Sequence, residues 1–146
     1  MDTLRSKNNE ICKCFNMMDG MYYDIAKRLG VNISKLTLFY ALQMYGEVSQ
    51  KQLCDEWLIP KTTVNTVVKK CLEEGDIEFK KVNGSKEKLI VLTEAGNRNA
   101  TNLLKEVYRA ENKALQLTID KYSDEFIKAW VFYTKQLDKE FKGIDK

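Results

Sequence analysis

From Leu4 to Leu29 apolar side chains recur three and four positions apart, at Leu4, Ile11, Phe15, Met18, Tyr22, Ile25 and Leu29, with one polar gap at Asn8. This spacing predicts a long amphipathic helix whose stripe needs a helical partner. Gly20 weakens its middle by about 1 kcal/mol, and Gly30 is a natural stop. Leu38 to Tyr45 reads as a second helix, capped by Thr37 or Ser34 and ended by Gly46. Val48 then leads into Ser49, which with Gln52 forms a capping-box pair opening a third helix that buries Leu53 and Trp57. Pro60 has no backbone N–H and disfavours a helical residue before it, so the chain must turn around Leu58 and Ile59. A fourth helix follows as far as Glu74, with Gly75 as its stop. Val64, Val67, Val68 and Cys71 or Leu72 form its inward stripe, which leaves Lys61, Thr62, Asn65, Thr66, Lys69 and Lys70 outward.

Beyond Gly75 the pattern changes to that of two strands around Asn83-Gly84, a strong two-residue turn signal because both central positions of a type I′ turn need positive φ. That turn places Ile77 opposite Ile90, Phe79 opposite Lys88 and Lys81 opposite Lys86, on one face with an apolar base and a positive tip. From Thr93 onward, Ala100, Leu103, Val107, Ala110, Ala114 and Leu117 mark one long helix. Ser123 is placed to cap a last helix whose stripe is Phe126, Trp130, Tyr133, Leu137 and Phe141. The expected fold is therefore mainly α with a small β-hairpin: a winged helix-turn-helix domain with added N- and C-terminal helices. Those helices carry more apolar surface than a small winged-helix core covers, and a two-fold dimer would bury it.

Composition narrows the function. A chain of 146 residues with 44% hydrophobic content fits one compact domain with appended helices. The formal net charge of +3 is mild, so any basic surface must come from where the lysines sit. The N-terminus lacks the apolar core of a signal peptide, and no stretch approaches the roughly 18 apolar residues of a membrane span, so a cytoplasmic protein is expected. Cys12, Cys14, Cys54 and Cys71 lie in helical patterns, which suits reduced thiols. With no histidine, a Ser-His or Cys-His nucleophile pair is impossible and the usual zinc ligand is missing. No Gly-rich phosphate loop occurs either, so neither an enzyme, a cofactor nor a metal is expected.

The outward face of the fourth helix suits a DNA groove. Asn pairs with N6 and N7 of adenine, Thr offers a hydroxyl and a methyl, and Lys meets phosphate or guanine. Asn65 and Thr66 are the candidate base readers, Lys69 and Lys70 the candidate phosphate contacts, with Lys61, Thr62 and Thr63 beside them. Lys81, Lys86 and Lys88 cluster about the hairpin tip. Like charges facing across strands cost stability, which a phosphate backbone would relieve. The plainer reading is a solvated helix face with lysines that block edge-to-edge strand pairing.

The run from LTLFYALQMYGEVSQKQLCDEWLIPKTTVNTVVKKCLEEGDI through the hairpin to KLIVLTEAG resembles the MarR family of bacterial transcriptional regulators, most specifically at PKTTVNTVVKKCLEEG and LTEAG. The similarity extends over nearly the whole chain. It implies a homodimeric repressor that binds a pseudo-palindromic double-stranded DNA operator, its fourth helix in the major groove and its wing in the minor groove. Release by a small aromatic effector or by cysteine oxidation is implied as well. On this reading residues 1–146 form one MarR-like chain, with a DNA-binding lobe at 34–92 and helical dimerisation regions at 1–30 and 93–146. The wing departs from the family, whose members carry aspartate and arginine near the tip where this chain has Gly84 and Lys86, and lysine lacks arginine's planar fork. Asp76 stands where an apolar residue is usual. An effector pocket between lobe and dimer helices would include Met18, Tyr22, Phe39 and Trp57, each of which also reads as ordinary core. Cys12 and Cys14 resemble the N-terminal cysteine of the oxidation-sensing branch, whereas the plainer reading has Cys14 packing beside Phe15 and Cys12 facing elsewhere without a role. Two readings from other classes stay open: a winged-helix protein-interaction module without specific DNA binding, and a sensor whose output is thiol chemistry.

Overall fold

The computed structural model describes residues 3–144. Its elements run α1 (Thr3–Arg28), α2 (Ile33–Tyr45), β1 (Glu47–Ser49), α3 (Gln50–Asp55), α4 (Lys61–Glu73), β2 (Ile77–Lys81), β3 (Lys88–Leu92), α5 (Glu94–Tyr122) and α6 (Glu125–Lys142). The chain divides into two compact units, Met1–Lys105 and Glu106–Lys146, with the boundary inside α5. No helix among the described residues is long and apolar enough to cross a membrane.

In the first unit α1 tolerates Gly20 and ends where Gly30 turns to φ 75°. α2 starts at Ile33, earlier than the hydrophobic pattern predicts, because the Asn32 side chain accepts the Lys35 N–H at 2.8 Å and caps it. Thr37, a predicted cap, sits inside the helix and donates its hydroxyl to the Ile33 carbonyl. Ser49 caps α3 as expected, accepting from the Gln52 N–H at 3.0 Å. The Gln52 amide does not reach back, however, and donates instead to Glu56. Between α3 and α4, Leu58 takes a left-handed φ of 52°, which costs a branched side chain about 1–2 kcal/mol and lets the chain reverse ahead of Pro60.

The sheet is antiparallel in the order β1-β3-β2. The hairpin is part of a three-stranded sheet, since Val48 of β1 pairs with Ile90. Three residues are too few for periodicity to reveal such a strand. The register differs from the sequence expectation: Ile77 faces Leu92, Phe79 faces Ile90 and Lys81 faces Lys88. At the tip the Ser85 N–H bonds to the Val82 carbonyl with positive φ at Gly84 and not at Asn83, a type II arrangement. Type II turns splay strands, so the connection opens to residues 82–87, and the shift of two positions keeps every side chain on its expected face. The core of this unit is Leu36, Leu38, Phe39, Leu42, Val48, Leu53, Val64, Val68, Ile90 and Leu104, all at most 2% exposed. Leu104, not the expected Leu103, is the deeply buried leucine of α5.

One polar cluster lies in that core. Asp76, 2% exposed, pairs with Lys35 Nζ at 3.0 Å and accepts from the Asn99 amide at 2.7 Å, while Lys35 also bonds Glu74. Thr93 accepts the Gly96 N–H and donates to the Gly75 carbonyl, which caps α5 and ties it to the end of α4. A β-carbon at Gly96 would overlap the Asp76 carbonyl oxygen, so only glycine permits this approach. Cys71, Glu74 and Asp76 bring their donor atoms within 4.8 Å of one another, but the Lys35 ammonium already serves both carboxylates. Burial alone favours the neutral amine of Lys35. The hydrogen bonds to Glu74 and Asp76, with the charge of Asp76, outweigh it and hold the ammonium above the ordinary value of 10.5. The resulting stabilisation is complete at neutral pH and is lost only as pH rises above that value.

In the second unit α6 buries none of its residues. Its Trp130 lies 6.5 Å from Phe126 and 6.2 Å from Tyr133, ring to ring, so the predicted stripe forms one aromatic row. Ser123, at φ 63°, accepts the Glu125 N–H at 3.3 Å where the helix begins.

Replacing Lys35 by Met removes the main partner of a buried carboxylate and should cost about 3 kcal/mol in urea unfolding, most of it recovered when Asp76 becomes Leu as well. A loss below about 1 kcal/mol would show the cluster to be of little structural consequence.

Candidate nucleic-acid interface

α4 begins at Lys61 behind Pro60, whose φ of −55° suits a helix start. Val64, Val67, Val68 and Cys71 are buried, and these four anchors fix the helix roll. Lys61, Thr62, Asn65, Thr66, Lys69 and Lys70 are all exposed, as the pattern requires, and Thr63 is half-buried. Asn65 is in no hydrogen bond among the described residues, so both ends of its amide face solvent. Thr66 donates its hydroxyl to the Thr62 carbonyl at 2.9 Å, which leaves a lone pair as acceptor. Lys70 stands 3.9 Å from Glu74, whereas Lys61 and Lys69 are in no ion pair among the described residues.

Beside this face a groove of about 280 Å³ runs between the start of α2 and α4, lined by Asn32, Ser34, Thr62, Thr63, Thr66, Val67 and Lys70. Asn32 and Ser34 are absent from the sequence-derived site. Their signal is the Asn32 cap, which starts α2 at Ile33 and brings its first turn alongside α4, whereas hydrophobic periodicity alone begins at Leu38.

On the wing Lys80 is neutralised by Glu47 at 3.0 Å. Lys81, Lys86 and Lys88 are exposed and in no ion pair among the described residues, and Lys81 faces Lys88 across the strands. The Lys88 ammonium lies 5.3 Å from the centre of the Phe79 ring, a cation–π contact that holds it above the sheet. The two cationic groups, on α4 and on the wing, belong to one compact unit.

A separate cleft of about 530 Å³ is lined by Asp19, Tyr22 and Tyr23 of α1, by Ile33, Leu36, Thr37 and Tyr40 of α2, and by Trp57. Trp57 is held by Tyr40 at 6.2 Å and edge-on by Tyr45 at 6.3 Å. Of the expected pocket residues, Tyr22 and Trp57 are in the wall. Phe39 is not, because it is 1% exposed with its ring 5.3 Å from Lys35 Nζ in the core. Met18 is exposed, and its neighbour Asp19 takes the wall position on α1.

Residues 25–85 match the family model described as MarR family. Over these residues the lobe is similar to the MarR family. The MarR fold also extends over nearly all of the chain. A MarR family regulator from Neisseria meningitidis superposes with a TM-score of 0.78 at 20% identity, covering 94% of this chain and 97% of its own. One from Listeria monocytogenes, solved with a 26mer DNA, gives 0.67 at 18% identity with coverage of 96% and 89%. Staphylococcus aureus MarR, in complex with salicylate and kanamycin, gives 0.68 at 12% identity with coverage of 99% and 96%. No curated protein matches the sequence significantly. Within this lobe Gly84 and Lys86 lie in the open connection at the wing tip, between Lys81 and Lys88.

The cysteines differ in surroundings. Cys12 and Cys14 are exposed on α1, Cys54 is half-buried, and Cys71 is fully buried. Burial pushes the Cys71 thiol up to about 11, with Lys35 opposing and Glu74 and Asp76 reinforcing the shift. Alkylation with iodoacetamide at pH 8 should therefore modify Cys12 and Cys14 in the folded protein and leave Cys71 unmodified until urea is added. Native-state labelling of Cys71 at a comparable rate would contradict its burial.

Proposed function

We propose that this chain is a dimeric repressor that binds a pseudo-palindromic site in double-stranded DNA. α4 enters the major groove, where Asn65 and Thr66 read base edges beside Lys61, Thr62, Thr63, Lys69 and Lys70. The wing lysines Lys81, Lys86 and Lys88 hold flanking phosphates. The observation that carries this reading is the exposed polar and cationic face of α4, on a helix whose opposite side is locked into the core. The Listeria relative solved with DNA supports it. Because lysine stands where the family carries arginine, the wing anchors more than it reads.

The DNA-binding lobe is assigned to 34–92 and dimerisation to the helices of 1–30 and 93–146. Support comes from apolar side chains left uncovered on them, among them Leu4, Phe15 and Met21 on α1, Leu117 on α5, and Phe126, Phe132 and Phe141 on α6. A second copy related by a two-fold axis would bury them and place two α4 helices about one DNA turn, roughly 34 Å, apart. The protein works in the cytoplasm and performs no catalysis. Release follows from a small molecule seated in the cleft beside Trp57, a reading supported by the salicylate and kanamycin held by the Staphylococcus relative. Exposure of Cys12 and Cys14 favours oxidation as a second route. Two positions apart on a helix, their side chains point away from one another, so oxidation would give sulfenic acids or bonds to other thiols rather than a Cys12–Cys14 disulfide.

Selection of bound fragments from the source genome gives the operator, on which two variants separate reading from anchoring. Asn65→Ala should cost about 1–3 kcal/mol on the operator and relax preference at one base pair, whereas uniform weakening on all sequences would reduce it to a backbone contact. Lys86→Ala should lower the slope of log affinity against log salt by about one unit, and an unchanged slope would remove it from the interface. Absence of salt-sensitive binding to any duplex would favour a protein-interaction module instead.

A further inference from the structure

We infer that the cleft beside Trp57 takes a lipophilic aromatic cation rather than an aromatic anion. This rests on the effector reading of that cleft and names the chemical class of its ligand. The wall contains four aromatic side chains, Tyr22, Tyr23, Tyr40 and Trp57, over an apolar floor of Ile33 and Leu36. Among the described residues that line it, Asp19 is the one with an ionic side chain, and there is neither lysine nor arginine. Asp19 is in no ion pair among the described residues, although cations neutralise its neighbours along α1, as Arg28 does Asp24.

An anion entering this space would lose hydration, gain no positive partner, and meet both a carboxylate and the negative faces of aromatic rings. A cation of the same size gains on both counts, since rings within about 6 Å of a positive centre attract it and a carboxylate completes its neutralisation. Trp57, the strongest ring for such contact, is held by Tyr40 and Tyr45 before any ligand arrives. The volume of about 530 Å³ is that of a site for a drug-sized molecule. Lys27 lines an adjoining groove that shares Tyr23 and Ile33 with the cleft. The cleft also joins α1 to the turn before α4 through Trp57, so a ligand wedged there bears on the segment that leads into the DNA-binding helix.

Tetraphenylphosphonium and tetraphenylborate have nearly the same shape and opposite charge, and serve as probes beside salicylate. In the full chain carrying Trp130→Phe, Trp57 is the remaining tryptophan and its fluorescence reports the cleft. Tetraphenylphosphonium should bind more tightly than tetraphenylborate, and Asp19→Asn should weaken the cation about fivefold while leaving the borate unchanged or tighter. Equal affinity for the two ions, or indifference of the cation to Asp19→Asn, overturns the charge preference; salicylate binding under those conditions leaves the effector cleft standing with an anionic ligand. A Trp57 signal unmoved by all three probes overturns the cleft as an effector site as well.

Discussion

A buried carboxylate at the junction of three elements sets the geometry on which the rest of the lobe depends. Asp76 follows α4, opens β2, and is bonded to Lys35 on α2 and Asn99 on α5, with Gly96 closing against its carbonyl. A carboxylate with so little exposure is tolerable only when paired, and each partner here comes from a different helix. The end of α4, the first strand of the wing and the start of α5 therefore cannot move independently without unpairing a buried charge. An apolar residue at this position would pack without specifying direction, whereas an ion pair with two hydrogen bonds admits few arrangements.

That constraint gives the surface its meaning. The charge of the chain is small overall, yet among the described residues Lys61 and Lys69 on α4 and Lys81, Lys86 and Lys88 on the wing are in no ion pair, whereas carboxylates neutralise other lysines such as Lys51, Lys80 and Lys128. Two of them, Lys81 and Lys88, face each other across the hairpin at a cost to the free protein. A rigid lobe with unneutralised lysines around a polar helix face is matched by a polyanion of regular geometry. The cleft beside Trp57 has the opposite character, aromatic walls with one carboxylate, and on the proposed reading the two surfaces would take ligands of opposite charge.

Much of this was legible in the sequence where periodicity and capping speak locally. The buried and exposed faces of α4 follow from the spacing of its valines, and the ends of α1, α2 and α4 from Gly30, Gly46 and Gly75. What escaped was set by tertiary context. The Asn32 cap is one polar residue among several possible ones, β1 is three residues long, and the hairpin register depended on a φ at Asn83 that the Asn-Gly pair alone does not determine. Asp76 looked like an anomaly because its partners, Lys35 and Asn99, are distant in sequence. The same distance hid Asp19 from the cleft and made Phe39 look like a wall residue when its ring turns toward Lys35 in the core.

The proposed function places two copies on DNA about a two-fold axis, covering the exposed apolar rows of α1, α5 and α6. Hydroxyl-radical footprinting of the full chain on a duplex selected from genomic fragments tests this most directly. The account predicts two symmetric protected patches whose centres lie about one helical turn, roughly 34 Å, apart, with weaker protection outside each where the wing lysines meet phosphates. A single unpaired patch, or an unprotected duplex at concentrations that saturate binding, would contradict it.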